Sequence, residues 1–141
     1  MKARRVEGLD PGAPLRPNAL CIVATRLSEL LALSGPALDP AAGDAQHDLR
    51  IAAKRLRYVL EIVEPCFGAE AKAARRAAKE LQGVLGEIHD CDVMLPDASG
   101  IDSLRALLQT RRELLFQRFR KLWLDAADRG TWAALERALQ D

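Results

Sequence analysis

Leu20, Val23, Leu27, Leu30 and Leu31 recur at intervals of one helix face and predict a helix over residues 18–33. Asn18 is placed to cap its start, and Gly35-Pro36 to end it. After a loop over 34–43, Asp44 offers a cap for a second helix, about 44–64, which stops before Pro65. A third helix is predicted over 69–95, between Gly68 and Pro96, followed by a turn at 97–100. A fourth, long helix covers 101–128, and a short last one follows Gly130 with Thr131 as its cap. Residues 1–17 carry three prolines and two glycines and read as an extended lead-in. No segment alternates with period two. The expected fold is all-α: over 18–141, a four-helix bundle with a short extra C-terminal helix.

Helical phase then separates charge from core. On the second helix, Ala52, Leu56, Val59, Leu60 and Val63 share one side, while His47, Arg50, Lys54, Arg57 and Tyr58 share the other. Arg55 lies off that stripe, and only Glu61 offers it an acid. Like charges at these spacings repel by a few tenths of a kcal/mol per pair, so an all-cationic stripe is not a neutral choice of surface. The third helix sets Lys72, Arg76, Lys79, Gln82, Gly83, Gly86 and His89 against Leu81, Val84, Leu85 and Ile88. Two glycines inside a helix cost about 1 kcal/mol each relative to alanine and point to a close approach by a helix or a ligand. On the fourth helix, Leu104, Leu107, Leu108, Leu114, Leu115 and Leu122 predict the apolar arc, with Arg111 and Arg118 inside it and Arg105 and Arg112 nearer its edge. An arginine so placed must meet an acid, reach solvent or line a wet groove.

Composition changes this picture in one respect. The 141 residues carry 21 Lys and Arg against 20 Asp and Glu, a net charge of +1, which excludes a globally basic nucleic-acid coat or an acidic tail. The balance hides segregation. Residues 50–79 hold eight Lys/Arg and three Glu, and residues 105–121 hold six Lys/Arg and one Glu. Residues 87–102 hold five Asp/Glu and no Lys/Arg. Cationic stripes along several helices match a linear polyanion, since Arg forks bind phosphate oxygens bidentately and Lys binds as a point charge. Only six residues are aromatic, so base stacking has little to work with and nucleic acid is not the expected partner.

The remaining chemistry is thin. Cys21, Cys66 and Cys91 form no CxxC pair and read as small buried hydrophobes in a reducing, cytoplasmic setting. Neither an apolar signal segment nor an unbroken apolar run of membrane-spanning length is evident, so no membrane association is expected. His89-Asp90-Cys91-Asp92 contains metal-ligand residue types, but consecutive helical residues diverge and no HxxxH or HExxH pattern occurs. Neither a nucleophile with a paired base nor a glycine-rich phosphate loop is present. No catalytic residue, metal or cofactor is expected, and a metal-dependent phosphohydrolase is the weakest of the readings.

The run from His47 to Glu61, His-Asp-Leu-Arg-Ile-Ala-Ala-Lys-Arg-Leu-Arg-Tyr-Val-Leu-Glu, resembles a signature of the CHAD domain, the conserved histidine α-helical domain. The run Leu-Gln-Gly-Val-Leu-Gly-Glu-Ile-His-Asp-Cys-Asp-Val, residues 81–93, is similar to its second signature. Arg112, Phe116, Phe119 and Trp123 resemble its closing helix. The resemblance implies a noncatalytic helical module that binds inorganic polyphosphate through basic residues around a central cavity, and association with polyphosphate granules. Carried over, the matching positions are His47, Arg50, Lys54, Arg55, Arg57, Tyr58, Gln82 and His89. Lys79, Arg111 and Arg118 join them by helical phase, and Arg112 extends the track. The chain departs from the family in length, being about one half of a full domain, and a homodimer that completes the basic pore is the expectation. The alternative is a helical adaptor whose basic face docks an acidic protein or RNA.

Overall fold

Proline and glycine set most of the helix ends. The computed structural model describes residues 2–141. It contains α1 (Leu15–Ala37), α2 (Gly43–Val63), α3 (Ala69–Met94), α4 (Asp102–Asp128) and α5 (Thr131–Gln140). Single 3-10 turns, Glu64–Cys66 and Pro96–Ala98, carry the prolines that end α2 and α3. The described residues are helical throughout their regular structure, as the hydrophobic spacing predicts. The helix α3 is the hub: it packs against α2, α4 and α5, while α1 packs mainly on α2.

Three caps differ from expectation. The first helix begins at Leu15, because Pro17 falls in the first turn, where its missing N–H has no partner to lose. Asn18 is therefore not a cap. It tethers the lead-in instead, accepting the Asp10 N–H at 2.8 Å and donating its Nδ2 to the Asp10 carbonyl at 2.7 Å. The same helix runs through Gly35 and Pro36 to Ala37. Pro36 stands in the last turn, where little helix remains to be disrupted. Asp44 lies in the first turn of α2, where its charge suits the helix dipole, but makes no capping bond. Thr131 is the first residue of α5, and the cap position belongs to Gly130, whose φ of 68° turns the chain sharply after α4.

The core draws on every helix: Leu27 and Leu30, Leu49, Leu56 and Leu60, Leu81, Leu85 and Ile88, Phe119, and Leu135 are all essentially inaccessible. The apolar sides expected for α2 and α3 are the buried ones, with Val59 half-buried. The expected phase of α4 is not. Its buried residues are Leu108, Leu115, Phe116, Phe119, Trp123 and Ala126, roughly a quarter turn away from the arc drawn through the leucines. Leu107 and Leu114 are 64% and 67% exposed. Arg111 and Arg118, placed inside the apolar arc by sequence, are exposed as well. The larger aromatic side chains decide the contest, because burying them removes more apolar surface from water than burying leucines.

One charge is buried in the core. Glu29 of α1 is 1% exposed and pairs with Arg26 and with Arg55 of α2, the latter at 3.4 Å. It also accepts the Arg4 N–H at 3.4 Å, and Arg26 donates to the Arg4 carbonyl at 3.1 Å, which holds the lead-in against α1. By length and composition α1 is apolar enough to cross a membrane, a property that counting unbroken apolar runs missed. Within the bundle its Val23, Leu27 and Leu30 are buried.

The corrected phase of α4 gives a contrast. Phe119→Ala is expected to cost about 3–5 kcal/mol, and Leu114→Ala no more than about 0.5 kcal/mol. Urea unfolding monitored by circular dichroism reads both, and equal costs would return the core to the leucine arc.

Candidate functional site

The cationic side of α2 and the glycine-bearing side of α3 face each other across a groove of about 360 Å³. Their register is antiparallel. At one end the rings of His47 and His89 stack, 4.0 Å between centroids and 20° between planes. One turn on, Arg50 lies over Gly86: a Cβ added there would stand 3.4 Å from Arg50 Nε. At the other end Arg57 and Lys79 line the same groove, with Gln82 and Gly83 between. Glu87 and Asp90 occupy its acidic end.

Polar atoms on this face are left unpaired. Arg50 Nε, Arg57 Nε, Gln82 Oε1 and His47 Nδ1 are buried and have no hydrogen-bond partner among the described residues. Buried polar atoms in folded proteins are nearly always satisfied, so such a concentration calls for a cause. Arg57 stands 3.3 Å from Glu61 without hydrogen-bond geometry, and its guanidinium lies 4.6 Å from the centre of the Tyr58 ring. Lys54 Nζ is 5.8 Å from the same ring. Tyr58 thus props two cations of the stripe. Among the described residues Arg50, Lys54, Lys79 and Arg118 form no ion pair.

Other sequence-selected cations are already engaged. Arg55 turns toward α1 and pairs with Glu29. Arg111 donates to Glu87 at 3.2 Å in an exposed pair, a contact worth little in water. Arg112 is different. Its guanidinium grips both oxygens of Asp92, donates to Gln46 Oε1 at 2.6 Å and to the Pro40 carbonyl at 2.9 Å. Gln46, 1% exposed, donates in turn to the carbonyls of Ala37 at 3.3 Å and Asp39 at 2.9 Å. Arg112 therefore ties α4 to α3, α2 and the α1–α2 loop. Sequence phase counted it as an edge cation because its partners lie 20 to 72 residues away.

Burial, the neighbouring His89 ring and the Arg50 guanidinium hold the His47 imidazole below its ordinary pKa, with Asp48 opposing them. Burial pushes the Cys91 thiol up, and Cys21 and Cys66 are half-buried free thiols. Among the described residues, no three His, Cys, Asp or Glu side chains are grouped to hold a metal ion. The site's resources are fixed donors and positive charge, which suit binding an anion rather than activating a nucleophile.

Compared with known proteins, residues 3–98 match the family model of the CHAD domain. That span covers α1 to α3 and both groove walls, and ends before α4. No curated protein and no solved structure matches the chain.

The lowered pKa of His47 has a signed consequence. The unfolded chain takes up a proton near pH 6.5, while the folded chain resists it to lower pH. Stability from this group is full above about pH 6.5 and is lost as pH falls toward the folded value. Thermal melting of the ligand-free protein should decline between pH 7 and 5.5, and His47→Gln should flatten that decline. An unchanged slope in the variant would assign the decline to other groups.

Proposed function

The chain belongs to the CHAD domain family, and from that membership we propose that it binds inorganic polyphosphate, without catalysis, in the groove between α2 and α3. CHAD domains are generally binding modules, and the family is known to bind polyphosphate. The observation that carries the reading here is the set of unspent donors. Arg50, Arg57 and Lys79 line the groove and Lys54 stands on the same stripe of α2 beside Tyr58; Arg50, Lys54 and Lys79 lack an acidic partner among the described residues. Phosphate oxygens supply what the buried Arg50 and Arg57 Nε–H groups lack.

The roles divide accordingly. Arg50, Lys54 and Arg57 make the central contacts, Lys79 extends them, and Arg118 offers charge from α4. Tyr58 positions its two cations. Arg111 can exchange Glu87 for a phosphate at little cost, since the pair is exposed. Arg55 and Arg112 serve the fold rather than the ligand, as Glu29 and Asp92 already occupy them. The stacked histidines lie beside the stripe. A bound anion favours the charged form of His47, whose pKa lies below its ordinary value in the free protein, so binding should take up protons in mildly acidic buffer.

Calorimetric titration with long-chain polyphosphate tests this. Affinity should fall linearly on a logarithmic salt axis, because condensed counterions are released. Arg50→Ala with Lys54→Ala should weaken binding on the order of 100-fold, two charge-assisted contacts being lost. The double variant should also shallow the salt slope. Unchanged affinity would overturn the site. Displacement of polyphosphate by RNA at equal phosphate concentration would favour the adaptor reading instead.

A further inference from the structure

Gly83 sits in the interior of α3, in the groove lining, and is exposed. A Cβ added there would meet no heavy atom within 4 Å. Helix packing thus gives no reason for glycine, although glycine costs about 1 kcal/mol relative to alanine in a helix interior. Gly86, one turn on, has a visible reason in the Arg50 side chain that covers it. The space over Gly83 holds no heavy atom of the described residues, and Gly83 lines the groove together with Arg50, Arg57 and Lys79.

The register defines those flanks. His47 over His89, Arg50 over Gly86 and the shared groove position of Arg57 and Lys79 step together along α2 and α3 in opposite directions. Gly83 is therefore level with Ala53 and Lys54. On its other side, the Arg111–Glu87 and Arg112–Asp92 pairs set α4 antiparallel to α3. They place Gly83 level with residues 115–121 of α4, the turns that carry Arg118. Lys54 and Arg118 are both exposed and without ion pairs among the described residues. Toward the C-terminal end of α3 the groove turns acidic at Glu87 and Asp90, which opposes an anion running the groove's full length.

We infer that a linear phosphate chain crosses α3 at Gly83, passing from Lys54 on α2 toward Arg118 on α4, an inference that rests on the polyphosphate reading above. The missing Cβ lets the chain lie against the helix backbone, within reach of cations on both neighbouring helices. Gly83 then trades helix stability for ligand approach.

The test uses the full chain, with Gly83→Ala and Gly83→Leu titrated with polyphosphate beside the unmodified protein. Gly83→Ala should melt about 3–4 °C higher, as the exposed helix interior gains propensity. It should bind several-fold more weakly, and Gly83→Leu at least about tenfold more weakly, at unchanged helical content. Failure of the unmodified protein to bind would overturn the polyphosphate reading itself. Binding by the unmodified protein and by both variants with equal affinity would keep that reading and overturn the crossing at Gly83.

Discussion

A half-buried arginine with every guanidinium nitrogen engaged ties the bundle together. Arg112 holds Asp92, Gln46 and the Pro40 carbonyl at once. Removing one partner of such a cluster would leave the rest desolvated and unpaired, at a cost of several kcal/mol. Four segments distant in sequence meet at this guanidinium, and its bonds fit the same rotation of α4 that buries the aromatic side chains. With Arg112 turned inward, Phe116, Phe119 and Trp123 enter the core and Arg111 and Arg118 are left outside. The Glu29 cluster does comparable work at α1, engaging Arg26, Arg55 and the lead-in.

These clusters sort the cations into two populations. Arg26, Arg55, Arg75 and Arg112 have carboxylates within reach. Among the described residues Arg50, Lys54 and Lys79 form no ion pair, and Arg57 has only an imperfect contact with Glu61. Helices usually relieve like-charge rows with acids at three- and four-residue spacing. Here Arg55, Arg75 and Arg112 meet acids from distant segments instead, while on the binding face acids are confined to Glu61 beside Arg57 and to Glu87 and Asp90 at one end of the groove. The near-zero net charge is the sum of these two policies, and it leaves little nonspecific attraction elsewhere for other polyanions.

Much of this is legible in the chain. Helix spans follow from Pro65, Pro96 and Gly130, and the stripe on α2 follows from simple phase, since its apolar side is a single clean arc. Phase likewise groups Gln82 and His89 on the polar side of the third helix, but that this side faces the stripe emerges only in the fold. The rotation of α4 is harder to read. Leucines at 104, 107, 108, 114 and 115 form a broad arc that overlaps the aromatic one, and local spacing cannot choose between them. The larger aromatic side chains decide it, and the partners of Arg112, namely Asp92, Gln46 and Pro40, which only the folded chain brings together, fit the same rotation. Asn18 misled for a related reason: its side chain found the Asp10 backbone rather than its own helix. The distinction between spent and unspent arginines is invisible to composition, because every guanidinium counts alike until its partners are placed.

Arginine side-chain nuclear magnetic resonance reads that distinction most directly. The Nε–H resonances of the full chain are followed while polyphosphate is added. Arg50 and Arg57 should shift and gain protection from solvent exchange, while Arg112 and Arg26 stay in place. Movement of Arg112 with Arg50 and Arg57 unchanged would contradict the division between cations that hold the fold and cations that await a ligand.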